Sequence, residues 1–200
     1  MDKNAAVDHP IIDLLGQRWS PRAFAERPVD EDTLRTLFEA ARWSPSSYNE
    51  QPWRFLVAPK SDSATYDRLL SCLVEFNQQW AKTAPVLMLT MASKLFAKNG
   101  KPNPHGWHDV GLAMMGLTMQ AMSMELYVHQ MAGFDPAKAR QVFAIPDDFD
   151  PVAAVAIGYL GDPSVLPPPI RQQETAPRSR RPMDETVFTE RFGHTAPFTP

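Results

Sequence analysis

The chain has 200 residues, 44% hydrophobic and 22% charged, which is ordinary for one globular domain or one domain with an arm. Its net charge of −3 argues against nucleic-acid binding through bulk charge, and its one cysteine, Cys72, excludes an internal disulfide or a cysteine metal cluster and fits a reducing cytoplasm. The N-terminal MDKNAAVDHP has no apolar signal core, and the most apolar stretch, Val110 to Met124, falls short of the roughly 20 residues that span a bilayer.

In chain order, Ile11 to Gln17 reads as a short helix entered through Pro10, and RWSPRAF (residues 18–24) as an irregular connection. Asp30 is the N-cap of a helix on which Leu34, Leu37, Phe38 and Ala41 recur at helical spacing, and Pro45 stops it. Arg54 to Ala58 is a short strand ended by Pro59. Tyr66, Leu69, Leu70 and Leu73 mark a second amphipathic helix, with Cys72 inert on its apolar side. APVLMLTMA is a strand buried on both faces. A long helix is expected from about Trp107 to Met131, with His129 a satisfied polar group at its end. It carries Met114, Met115, Met119, Met122, Met124 and Met131, a breadth that suggests burial on more than one side. Asp135-Pro136 opens a helix through Phe143, and PVAAVAIGYLG is a third strand. The alternation indicates a mixed α/β or α+β class. After Gly161 the chain turns proline-rich and is expected to be extended. Its Val187, Phe188, Phe192 and Phe198 suit an arm that packs on something.

Three short stretches carry candidate chemistry. In SPSSYNEQPWRF (residues 44–55), Ser46, Ser47, Asn49 and Gln51 stand between Pro45 and Pro52, more polar groups than a connection of this length needs. Arg18, Ser20 and Arg22 alternate, so in an extended segment they share one side, where two guanidinium forks and a hydroxyl make a phosphate site. Arg178 and Arg180 repeat the alternation between two prolines, and would close on the same phosphate if the tail folds back. No dinucleotide-binding, P-loop or nucleophile-elbow motif is present. His105, His108 and Asp109 lack a further spaced ligand, so no metal is expected.

RWSPRAF, ARWSPSSYNEQPWRFLVA, FNQQWAKTAPVLMLT, MAGFD, VAAVAIGYLGDP and RSRRPMDETVF occur in that order. Together they resemble the nitroreductase family of FMN-dependent oxidoreductases, from Ile11 to about Gly193. The resemblance implies an α+β three-layer sandwich with a mostly antiparallel central sheet flanked by helices, and a C-terminal arm exchanged in a homodimer. Residues 1–162 would form the FMN-binding core, and residues 163–200 an extended arm of the same domain on the partner subunit. By the same resemblance Arg18, Ser20, Arg22, Arg178 and Arg180 would clamp the FMN phosphate. Pro45, Ser46, Ser47, Asn49 and Gln51 would lie along the ribityl chain and ring. Asn77 would sit near the pyrimidine edge, and the backbone of Ala132 and Gly133 near N5 and O4. Ala132 and Trp80 depart from some members, which carry an acidic and a basic residue there. The implied activity is ping-pong transfer of hydride from NAD(P)H through flavin N5 to nitroaromatics, quinones or related acceptors, with no catalytic side chain. A dehalogenase or flavin-consuming member, or a non-catalytic flavin-binding protein, are the alternatives. A cytoplasmic enzyme without nucleic-acid or membrane partners is expected.

Overall fold

In a computed structural model of the chain, residues 3–199 are described; residues 1, 2 and 200, the outer ends of the two segments expected above, lie outside them. The elements are α1 (Asp13–Gln17), α2 (Glu31–Arg42), β1 (Trp53–Pro59), α3 (Ser63–Leu70), α4 (Glu75–Ala81), β2 (Val86–Ser93), α5 (Gly106–Ser123), β3 (Leu126–Met131), α6 (Pro136–Phe143), β4 (Phe149–Tyr159) and α7 (Pro168–Thr175). Three of the helices start on an aspartate whose carboxylate accepts an orphan backbone N–H: Asp30 from Thr33 at 2.7 Å, Asp62 from Thr65 at 3.2 Å and Asp135 from Lys138 at 2.9 Å.

The four strands form one antiparallel sheet in the order β1-β2-β4-β3. β2 is buried on both faces because helices cover both. Leu87, Leu89 and Met91 point into one core with Tyr66, Leu69, Trp80, Ala139 and Ile170, contributed by α3, α4, α6 and α7. Val86, Met88 and Ala92 point into the other, with Leu37 and Ala41 of α2 and Val110, Met114 and Leu117 of α5. The result is the expected three-layer α+β sandwich. Gly116 lets α5 approach α2, since a Cβ there would lie 2.9 Å from the Ala40 carbonyl oxygen. Among the described residues no helix is long and apolar enough to cross a membrane.

The expected long helix is two elements. It ends at Ser123, Glu125 turns the chain at φ 60°, and residues 126–131 return as strand β3, so His129 lies on a strand and not at a helix end. The alternation of Leu126 and Val128, both buried, with half-buried Tyr127 and His129 was hidden by the methionine-rich run before it. Helix α4, which carries Asn77 and Trp80, was not foreseen. α3 stops at Leu70; Leu73 bridges Phe134 instead, and Cys72 sits buried just beyond the helix, its thiol pushed up by burial. The segment after Gly161 is not uniformly extended. Pro163–Val165 is a 3-10 turn and α7 follows at once, prolines at its first positions being compatible with a helix start. Leu166 and Ile170 belong to the first core.

Candidate functional site

Residues 18–24 alternate in burial as an extended segment should: Trp19, Pro21 and Ala23 face inward, and Arg18, Ser20 and Arg22 are half-buried on the other side. The segment rests on β3. Trp19 meets Tyr127 edge-on at 6.2 Å between ring centroids, and the Nδ1–H of His129 donates to the Pro21 carbonyl at 2.8 Å. Phe24 bridges Leu160, and a side chain at Gly161 would collide with the Phe24 backbone at 2.5 Å. Below it, Trp80 is fully buried between Phe24, at 6.4 Å, and His129, at 4.5 Å. Burial, and secondarily Arg22, lower the His129 pKa to about 4 against the opposing hydrogen bond to Pro21.

The C-terminal segment returns to this place. The Arg178 guanidinium donates to the carbonyls of Lys3 at 2.5 Å and Gly16 at 2.8 Å, and the Lys3 ammonium donates to the Ala176 carbonyl. One cavity of about 240 Å³ is therefore lined by Lys3, Arg18, Ser20, Arg22, Arg178 and Arg180, with Glu174 as the acidic residue among its lining groups. All five residues expected to grip a phosphate meet there. Lys3 and Glu174 are additions that sequence reasoning missed, because neither sits in a motif.

The electrostatics of this cavity are those of an anion site. Burial, then the like charges of Arg178 and Arg180, push the Arg18 pKa down, and Arg178 is lowered by burial and by Arg180. Lys3 is lowered by burial and by Arg178 and Arg22, against Glu174. Arg22 Nε is buried and, among the described residues, has no hydrogen-bond partner. Crowded guanidinium groups with an orphaned donor fit a ligand bearing several anionic oxygens, which is what a phosphate ester offers.

The loop from Ser44 to Pro52 is built differently. Tyr48, Asn49 and Gln51 have φ of 54°, 56° and 50°, the left-handed region that side chains resist. The loop is held by its own polar groups. The Ser46 hydroxyl accepts the Gln51 N–H at 3.0 Å, and the Gln51 amide donates to the Asn49 carbonyl at 3.0 Å. Buried Asp109, at the start of α5, accepts the Ser47 N–H at 3.0 Å; its other oxygen lies 3.0 Å from His108 Nδ1. Ser46 and Gln51 are thus engaged within the loop, while the Ser47 hydroxyl and the Asn49 side-chain amide make no hydrogen bond among the described residues. Pro45 is exposed. No residue of this loop lines the arginine cavity. Asp109 was read in the sequence only as a weak metal candidate; the structure makes it the loop's anchor.

Asn77, Ala132 and Gly133 come together at a third place, the turn after β3. Asn77 Nδ2 and the Val74 N–H both donate to the Gly133 carbonyl, at 2.9 and 3.1 Å, and Trp80 Nε1 donates to Asn77 Oδ1 at 3.3 Å. A Cβ on Gly133 would lie 2.5 Å from Asn77 Nδ2. Asn77 therefore braces the turn, and Trp80 is a core residue that orients it.

The sequence model of the nitroreductase family matches residues 15–159. Over 125 residues the chain is 32% identical to an uncharacterized 15.4 kDa protein of Mycolicibacterium smegmatis, covering 62% of this chain and 83% of that protein. It is 27% identical to a protein of Thermus thermophilus named NADH dehydrogenase, covering 90% of this chain and 97% of the other. A crystal structure described as an oxidoreductase containing FMN superposes with a TM-score of 0.90 at 36% identity, covering 98% of this chain and 99% of that one. With the family's model spanning most of the chain and its fold shared throughout, this protein belongs to the nitroreductase family.

Proposed function

We propose that the chain is an FMN-dependent oxidoreductase that uses NAD(P)H to reduce nitroaromatic, quinone or related acceptors. The observation that carries this reading is the cavity where Arg18, Arg22, Arg178 and Arg180 converge from opposite ends of the sequence, with Arg22 Nε left without a partner. Arg18, Arg22, Arg178 and Arg180 hold the phosphate, and Ser20 adds a hydroxyl. Ser47 and Asn49 offer the ribityl chain and ring the polar groups that the loop does not use for itself. The turn at Ala132 and Gly133, braced by Asn77, presents backbone to the ring. When bound, FMN would supply the two-electron redox chemistry between NAD(P)H and the acceptor, in a ping-pong order.

Two exposed regions favour a homodimer. Trp43, Tyr48, Trp107 and Met115 are exposed around the loop, α2 and α5, and Phe192 and Phe198 in the final segment are 94% and 70% exposed. Leu166, Ile170 and Glu174 pack within their own chain, so in this reading only the part of residues 163–200 beyond the cavity, where Phe192 and Phe198 are exposed, acts as an arm laid on the second subunit, and the enzyme works in the cytoplasm. Purified protein should be yellow, elute as a dimer, and bleach when NAD(P)H is added without oxygen. Colourless monomeric protein that takes up no FMN overturns the proposal.

A further inference from the structure

We propose that Glu174 is a positioning residue that brings the two halves of the phosphate clamp into register before the cofactor arrives. The inference rests on the FMN reading above and deepens it.

Glu174 stands in the last turn of α7, where the helix dipole disfavours an acid. It is nevertheless 1% exposed, and a buried carboxylate is costly unless its oxygens are satisfied. They are satisfied by the backbone of the clamp segment. The Arg22 N–H lies 2.9 and 3.0 Å from the two oxygens, and the Ala23 N–H 3.1 Å from Oε1. The Arg22 guanidinium is only loosely paired, at 3.8 Å, and its Nε has no partner. Glu174 therefore makes no hydrogen bond to the Arg22 guanidinium, although its charge lies near it. It grips the peptide backbone and leaves the guanidinium available to an anion.

The position along the chain gives this grip its purpose. Arg178 is four residues further on, and Ala176 between them receives the Lys3 ammonium. Glu174 to residues 22 and 23, Ala176 to Lys3, and Arg178 to Lys3 and Gly16 are three successive stitches. Among these stitches Glu174 is the one tied directly to the 18–24 segment. Removing it takes away the direct tie between the front pair, Arg18 and Arg22, which β3 and Leu160 still hold from the other side, and the rear pair, Arg178 and Arg180, so that their spacing is set less tightly. A clamp of four guanidiniums loses affinity when its halves move apart, because the preorganisation is lost rather than any one contact.

The experiment titrates cofactor-free full-length protein with FMN and with riboflavin, which lacks the phosphate, for wild type, Glu174→Gln, Arg178→Ala/Arg180→Ala and the triple variant. Glu174→Gln should weaken FMN about tenfold and leave riboflavin within about twofold, and the FMN loss should shrink to about twofold once the rear arginines are gone. An FMN-to-riboflavin preference unchanged by Glu174→Gln, or an equal loss in both backgrounds, overturns the positioning role. A wild type with no preference for FMN over riboflavin overturns the phosphate reading itself. If Glu174→Gln does not fold, Glu174→Asp, shorter by one methylene at the same charge, replaces it in the same comparison. Amide exchange on the cofactor-free wild type needs no variant: the Arg22 and Ala23 N–H groups should exchange slowly, and fast exchange there overturns the proposal.

Discussion

Residues 18–24 and residues 44–52 are both short irregular connections rich in hydrogen-bonding side chains, and they are stabilised in opposite ways. The first packs every second residue into the core, lies against β3, and has its backbone N–H groups taken by the buried Glu174. It shows no left-handed residue. Its tension is electrostatic, because the chain gathers Arg18, Arg22, Arg178 and Arg180 around one cavity. The second has little beneath it. Tyr48 is 92% exposed, three of its residues adopt left-handed backbone, and its Ser46, Gln51 and Asp109 contacts hold that shape. Its tension is conformational. Groups of the same chain line the first region on several sides, whereas the second is presented outward.

The largest expected effect tests the buried support beneath residues 18–24. Between the ordinary histidine pKa near 6.5 and the folded value of about 4, the unfolded chain takes up a proton at His129 that the folded chain does not. Stability is therefore lost as pH falls through that window, by about 3 kcal/mol in total. Denaturant melts of wild type and His129→Gln from pH 7 to 4 measure this. An equally steep acid loss in the variant would mean that the sensitivity lies with other groups, and that burial beneath residues 18–24 does not hold His129 neutral.

A smaller effect separates electrostatic tension from packing. Arg18 is half-buried, and its hydrogen bond to the Ser20 hydroxyl is long at 3.5 Å. Arg18→Ala should weaken FMN by about 2 kcal/mol, roughly thirtyfold, while the melting temperature of the cofactor-free protein holds or rises as repulsion from Arg178 and Arg180 is relieved. A destabilised apo-protein with unaltered FMN affinity would make Arg18 a structural residue.

The contrast also explains what could be read from the sequence. Alternation is visible in a string of letters, so the shared side of Arg18, Ser20 and Arg22 was legible, as were the caps Asp30 and Asp135, though not Asp62, and the two-faced burial of β2. Convergence in space was legible only as a condition, that the tail fold back, and through the family resemblance. Glu174 and Lys3 reach the cavity by tertiary folding, and no spacing announces them. The break between α5 and β3 was illegible for a local reason. Glu125 takes the left-handed turn where glycine or asparagine would have signalled a helix end, and the apolar run continues across it. Asp109 was weighed only as a weak metal candidate, and no spacing announced that, buried, it would accept the Ser47 N–H from a loop 62 residues away in sequence.

The smallest effect concerns the loop. Left-handed backbone at a tyrosine costs about 1–2 kcal/mol, and glycine at position 48 would remove that cost. Glycine also enlarges the freedom of the unfolded chain by about 0.5–1 kcal/mol, and the edge-on contact of Tyr48 with Phe96 at 6.0 Å would be lost. These contributions nearly cancel, so Tyr48→Gly should change the stability of the cofactor-free protein by less than about 1 kcal/mol in either direction. Ligand binding should be affected more, because a glycine loop samples other shapes and must be ordered on binding. If Tyr48→Gly instead destabilises the isolated fold by well over that amount, the loop is supported by packing in the same way as residues 18–24. The left-handed turn would then be a consequence of the fold and not a shape held in readiness for a ligand.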